Sequence, residues 1–148
     1  MNIYFVCTGN TCRSPMAEAL FQAQNIPNMN VRSAGIYAMD GGDISENAKH
    51  VISEKGIDFM HFSRQVNEED LRWADLILTM TTAHKQMLGQ AFPFVIEKTF
   101  TLKEYARSYG SQDVSDPFGG DVQTYQKTFS ELETLIKELA IKLIEEEN

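Results

Sequence analysis

A short apolar run, Ile3-Tyr4-Phe5-Val6, passes directly into Cys7-Thr8-Gly9-Asn10-Thr11-Cys12-Arg13-Ser14, and that segment into Pro15-Met16-Ala17-Glu18-Ala19-Leu20. This opening constrains the fold more than any other stretch. Asn2–Val6 reads as a buried strand, and Pro15 to about Gln24 as a helix with Met16, Ala19, Leu20 and Ala23 on one face. Ser14 is the expected N-cap. Pro15 suits the first helical position, where its missing amide hydrogen would be unpaired anyway. A cysteine therefore closes a strand, and an arginine six residues on opens a helix.

The alternation continues along the chain. Val31–Ser33 reads as a second strand ended by Ala34-Gly35, and 37–43 as a loop containing Gly41-Gly42. Ser45 to about Lys55 reads as a helix stopped by Gly56. Asn67 is the expected cap of a short helix through Trp73. Ala74–Thr79 forms a third strand around Leu76-Ile77-Leu78, Thr81–Gln90 a helix, and Glu97–Thr101 a fourth strand. A loop over 108–120 leads to a last helix from near Asp121, striped by Tyr125, Phe129, Leu132, Ile136, Leu139 and Leu143. That stripe is predicted to pack on the sheet. Short apolar strands alternating with amphipathic helices predict an α/β fold, a three-layer open parallel sheet of about four strands with helices on both faces. With 148 residues there is material for one such domain and not two, so residues 1–148 read as a single domain. Ligands of such sheets bind beyond the carboxyl ends of the strands, where Cys7 stands.

The formal net charge of −8 argues against nucleic acid or an anionic membrane as partner. No apolar stretch approaches the length of a membrane span, and the N-terminus lacks a basic region followed by a long apolar segment. A cytoplasmic monomer is the expectation. Both cysteines lie in the opening segment, where a disulfide would close too small a loop to stabilise the fold much. Two thiols at the spacing of Cys7 and Cys12, with no second ligand pair nearby, make a poor metal site. No cofactor is expected.

The segment fits phosphoryl transfer to sulfur. A phosphate in the loop would meet inward-facing amides and the N-terminus of the following helix. The same partial charges favour the Cys7 thiolate, to which Ser14 can donate a hydroxyl hydrogen bond. Arg13 offers a planar fork for two phosphate oxygens. Gly9 allows close backbone approach, and Asn10 tolerates left-handed geometry while tying the loop together. A thiolate displaces a poor leaving group only if an acid protonates that group. Asp116-Pro117-Phe118-Gly119-Gly120 supplies one, because proline biases Asp116 away from helical geometry and its carboxylate projects from a loop. Asp116 is the candidate acid, then base for the attacking water. Phe118 would wall the substrate. His50, His61 and His84 read as structural or surface residues, Arg64, Arg72 and Arg107 as solvated charges, and Asp40 and Asp43 as loop residues that could border the cleft.

These motifs resemble the low-molecular-weight protein tyrosine phosphatase family, in which a C-x5-R-S loop follows the first strand and an Asp-Pro loop comes late. The resemblance spans essentially the whole chain, including Ser33-Ala34-Gly35. It implies Cys7 as nucleophile, Arg13 as phosphate clamp, Ser14 as thiolate donor, Asn10 as loop brace and Asp116 as acid/base. Thr8, Gly9, Asn10, Thr11, Cys12, Ser14 and Phe118 would bind substrate. Tyrosine-directed members usually carry leucine at position 8 and isoleucine or leucine at position 11. Thr8 and Thr11, with Asp-Pro-Phe-Gly-Gly, are similar instead to the protein arginine phosphatase branch. Partners implied are arginine-phosphorylated proteins, or phosphotyrosine proteins on the rival reading. Cys12 either fills a small packed position or, as the resemblance favours, captures an oxidised Cys7 as a disulfide.

Overall fold

Ile3, Tyr4, Phe5 and Val6 are fully buried, side chains of both parities alike, because their strand is central and covered on both faces. The structure is a computed structural model and describes residues 1–107 and 110–147. Strands β1 (Asn2–Cys7), β2 (Asn30–Gly35), β3 (Leu76–Thr79) and β4 (Thr99–Thr101) form one sheet in the order β2-β1-β3-β4, every pair parallel. The helices are α1 (Arg13–Gln22), α2 (Glu46–Glu54), α3 (Glu68–Trp73), α4 (Thr82–Ala91), α5 (Leu102–Ala106) and α6 (Val122–Glu147).

Alternation along β1 sorts the core into two layers. Ile3 and Phe5 join Leu76 and Leu78 under α1, α2 and α6, while Tyr4 and Val6 join Ile77 beneath Leu71 of α3 and Leu88 of α4. The predicted stripe of α6 is buried along its whole length, from Tyr125 to Leu143. Asn67, Ser45 and Thr81 each accept a backbone N–H into their side chains as N-caps of α3, α2 and α4. Among the described residues no helix is long and apolar enough to cross a membrane.

Four local expectations are corrected. Helix α1 begins at Arg13, not Pro15, and Ser14 is not its cap, because its hydroxyl is held inside the loop. Ala23 is exposed at the end of α1, and Phe21 takes a core place instead. The fourth strand starts only at Thr99, since Pro93–Lys98 is wound into a 3₁₀ helix. Leu102–Ala106, unassigned in the sequence, is a helix closed by a reciprocal capping box between Thr101 and Glu104. The loop predicted to open at 108 has its first two residues outside the described ones.

Candidate active site

The chain leaves β1 to lay β2 on one side and later β3 on the other, so the crevice at the carboxyl end of β1 is the topological switch point of the sheet. Cys7 is the last residue of that strand. The loop after it is held from outside by its carbonyls. Those of Cys7, Thr8 and Thr11 accept the backbone N–H groups of Ile36, Tyr37 and Ser45, and that of Asn10 accepts the Ser63 hydroxyl. Since C=O and N–H point to opposite edges of a peptide plane, this turns the amide edges toward the inside of the loop. Gly35 is what lets the loop lie so close to β2. A Cβ there would stand 2.5 Å from the Thr8 carbonyl oxygen and 2.8 Å from the Asn10 nitrogen. Gly9 is less constrained, since a Cβ there would meet only Thr11 Oγ1, at 3.6 Å.

A cavity of about 210 Å³ opens inside this loop, lined by Cys7, Thr8, Gly9, Thr11, Cys12, Arg13, Asp116 and Phe118. The opening segment and the Asp-Pro loop, remote in sequence, thus meet as expected. Arg13 is 5% exposed, with Nη1 donating to the Val114 carbonyl at 3.2 Å and Nη2 lying 3.5 Å from Asp116 Oδ2. The Asp116 side chain is 54% exposed, and its other oxygen accepts the Phe118 backbone N–H, an Asx turn that fixes the carboxylate at the cavity. Phe118 is 80% exposed and stands at the rim of the cavity.

Asn10 and Ser14, expected among the substrate contacts, lie behind the loop and line no part of the cavity. Asn10 adopts φ 55°, a left-handed conformation that asparagine tolerates. Its Oδ1 accepts the Arg64 backbone N–H at 3.0 Å, which settles the amide's orientation; Nδ2 then donates to Ser14 Oγ at 2.8 Å and Ser33 Oγ at 3.0 Å. Ser33 Oγ donates in turn to Glu18 Oε1 at 2.6 Å. His61 Nε2 meets the same Asn10 Oδ1 at 2.8 Å, so that nitrogen must carry a hydrogen, and its Nδ1 stands 3.6 Å from Glu18 Oε1. Burial pushes the Glu18 carboxyl up to about 7 and the His61 imidazole down to about 4.

His84, at the start of α4, is 5% exposed, and its Nε2 lies 2.8 Å from Thr8 Oγ1. Glu18, His61 and His84 had no sequence signal of their own. Their partners lie far away in the chain, and only the position of His84 just after β3 hinted at the strand-end rule. Cys12 turns its sulfur to the Tyr125 hydroxyl at 3.1 Å, and burial with that contact raises the pKa of the phenol. Asp40 and Asp43 do not border the cavity. Asp40 accepts the Gln65 backbone N–H, and Asp43 pairs with Lys49. His50 pairs with Glu54, Arg64 with Asp70, Arg72 with Glu68, and Arg107 with Glu138.

The profile of the low molecular weight phosphotyrosine protein phosphatases matches residues 2–148. A protein-arginine-phosphatase of Geobacillus stearothermophilus is 49% identical over 141 residues, 95% of each chain. The solved structure of YwlE arginine phosphatase from that organism superposes with a TM-score of 0.95 at 48% identity, covering 98% of this chain and 94% of the other. A cysteine-to-serine mutant of a YwlE arginine phosphatase, solved with its active-site serine phosphorylated, superposes at 0.93 with 46% identity over 97% and 95% of the two chains.

Proposed function

The chain belongs to the low molecular weight phosphotyrosine protein phosphatase family, and within it we propose a protein arginine phosphatase that works through a cysteinyl-phosphate intermediate. The observation that carries the reading is the meeting of Cys7, Arg13 and Asp116 at one cavity whose wall also carries Thr8 and Thr11. Cys7 Sγ attacks phosphorus, and the P–N bond breaks with its electron pair left on nitrogen. Asp116 in its acid form gives that nitrogen a proton. In the second step water attacks the phosphorus of the thiophosphate ester and loses a proton to the Asp116 carboxylate. The P–S pair returns to Cys7, and inorganic phosphate leaves.

Arg13 suits the clamp because its guanidinium is held by Val114 and faces Asp116 instead of bulk water. The inward amides and the start of α1 supply the remaining positive partial charge for three equatorial oxygens. The phosphoserine trapped in the YwlE relative supports covalent transfer to the residue that Cys7 resembles. Thr11 favours arginine over tyrosine as substrate. Its hydroxyl spoils an apolar seat for an aryl ring and can orient water, and Asp116 while anionic can pair with a guanidinium.

Phosphotyrosine is the rival substrate, favoured by the exposed ring of Phe118 at the rim. The test compares phosphate release from phosphoarginine and phosphotyrosine peptides by the wild type and Thr11→Ile. A wild-type preference for phosphoarginine, lowered about tenfold or more by the substitution, is expected when an apolar group replaces a polar one in a pocket. A preference for phosphotyrosine that the substitution leaves alone would sink the arginine assignment.

A further inference from the structure

The Thr8–His84 contact bridges the switch crevice. It joins the loop that leaves β1 to the helix that follows β3, so neither partner is placed by its own neighbours alone. Thr8 is exposed and lines the cavity, whereas His84 is buried. His84 is also locked at the backbone, its N–H donating to the Thr81 hydroxyl at 3.1 Å, and nearby upstream the amide of Thr82 donates to Asp113. The far ring nitrogen, Nδ1, is buried without a hydrogen-bond partner among the described residues. Burial and the nearby Arg13 charge push the imidazole down to about 4, so it is neutral through the working range.

A neutral imidazole has one N–H. A hydrogen on Nδ1 would leave a buried donor unpaired, while a hydrogen on Nε2 leaves only an idle acceptor and donates to Thr8 Oγ1. The second arrangement is the cheaper one. It uses one lone pair of the threonine oxygen and leaves the other, with the hydroxyl hydrogen, to the cavity. Either tautomer keeps at least one lone pair on Thr8 free for substrate. We infer that His84 is a positioning residue that holds the Thr8 hydroxyl as a hydrogen-bond acceptor for the N–H groups of a guanidinium leaving group. The inference rests on the arginine reading above and adds to it a second recognition point besides Asp116. An aryl phosphate has no N–H there, so the pair discriminates by what the leaving group can donate.

The readout is the ratio of kcat/KM for a phosphoarginine peptide to kcat/KM for p-nitrophenyl phosphate. Thr8→Val, which keeps the shape and removes the hydroxyl, should lower this ratio about tenfold, the scale of a hydrogen bond to a cation. Thr8→Ser should keep it. His84→Leu should lower it in the same direction, and His84→Gln, whose amide can still reach Thr8, should restore it. A purely structural role for His84 would depress both substrates together and leave the ratio where it was. If the wild type cleaves phosphoarginine yet Thr8→Val and His84→Leu both keep its ratio, the pair has no such role. Failure of the wild type on phosphoarginine would instead overturn the substrate reading beneath it. Should His84→Leu not fold, Thr8→Val against Thr8→Ser decides the acceptor role of Thr8, and His84→Asn, polar but one methylene shorter than His84→Gln, should lower the ratio that His84→Gln keeps.

Discussion

The single hydrogen of the Ser14 hydroxyl has two acceptors within reach, Cys7 Sγ at 2.8 Å and the Ala34 carbonyl at 3.4 Å. Asn10 Nδ2 already donates into the Ser14 oxygen, and Asn10 cannot reverse because its own oxygen is claimed by the Arg64 amide. On the proposed mechanism Cys7 reacts as a thiolate with no hydrogen of its own, so the Ser14 hydrogen goes to sulfur, where it stabilises the charge that returns to Cys7 as the P–S bond breaks. Ser14→Ala should lower kcat about tenfold or more, since a hydrogen bond to a charged group is lost at the reacting atom. Binding of inorganic phosphate should change far less, because Ser14 lines no part of the cavity. Stopped-flow and steady-state kinetics separate the two. Equal losses in kcat and in phosphate affinity would show that Ser14 only shapes the loop.

At the scale of elements, the loop after Cys7 depends on an absence in its neighbour. Gly35 ends β2 opposite Cys7, and its missing side chain is the space that the Thr8 carbonyl and the Asn10 nitrogen occupy. Both obstacles are backbone, so a methyl group cannot be accommodated by a rotamer change. Gly35→Ala should cost about 1–3 kcal/mol of stability by overpacking and displace the loop that frames the cavity. Urea denaturation and kcat/KM should fall together, and a variant with wild-type values of both would refute the packing argument. Such a dependence was legible only as a motif, because the collision at Gly35 belongs to two elements and to neither alone. Elements themselves were legible where local pattern and tertiary demand agreed. β1 and β3 are apolar runs buried on both faces, and α6 carries one sustained stripe. The start of β4 was misplaced by two residues, because nothing in Glu97 and Lys98 themselves shows that the 3₁₀ helix begun at Pro93 runs on through Lys98. Helix α5 spans only five residues, too few to show a period, and its sole signature was the Thr101–Glu104 box. That Cys7, Arg13 and Asp116 would share one cavity could be anticipated, because loop chemistry is written in residue types. Glu18, His61 and His84 could not, because a buried polar group declares itself only through its partner.

Across the whole molecule, three buried titratable groups bend the response of stability to acid between about pH 5 and 6. Glu18, raised from 4.5 to about 7, contributes stability that is present at low pH and lost as pH rises through its folded value. His61 and His84, lowered from 6.5 to about 4, contribute stability present at neutral pH and lost as pH falls through theirs. Between about pH 5 and 6 the unfolded chain holds a proton on each histidine and none on Glu18. The folded chain holds one proton, on Glu18, and none on either ring. Glu18 and His61 face each other at 3.6 Å and so cancel in this window, a buried pair that carries one proton folded and one unfolded. His84 is left as the net difference, and stability should rise with pH by about 1.4 kcal/mol per unit for that one proton. Glu18→Gln removes the compensation and leaves two histidines uncovered, so the slope should double. His84→Gln removes the net difference, so its own slope from these groups should vanish. Urea unfolding of the three proteins at closely spaced steps between about pH 5 and 6 measures this directly, and comparing slopes subtracts the surface carboxylates common to all. Three parallel curves would mean that neither Glu18 nor His84 changes its proton on folding, and the buried network would then contribute packing and hydrogen bonds without charge.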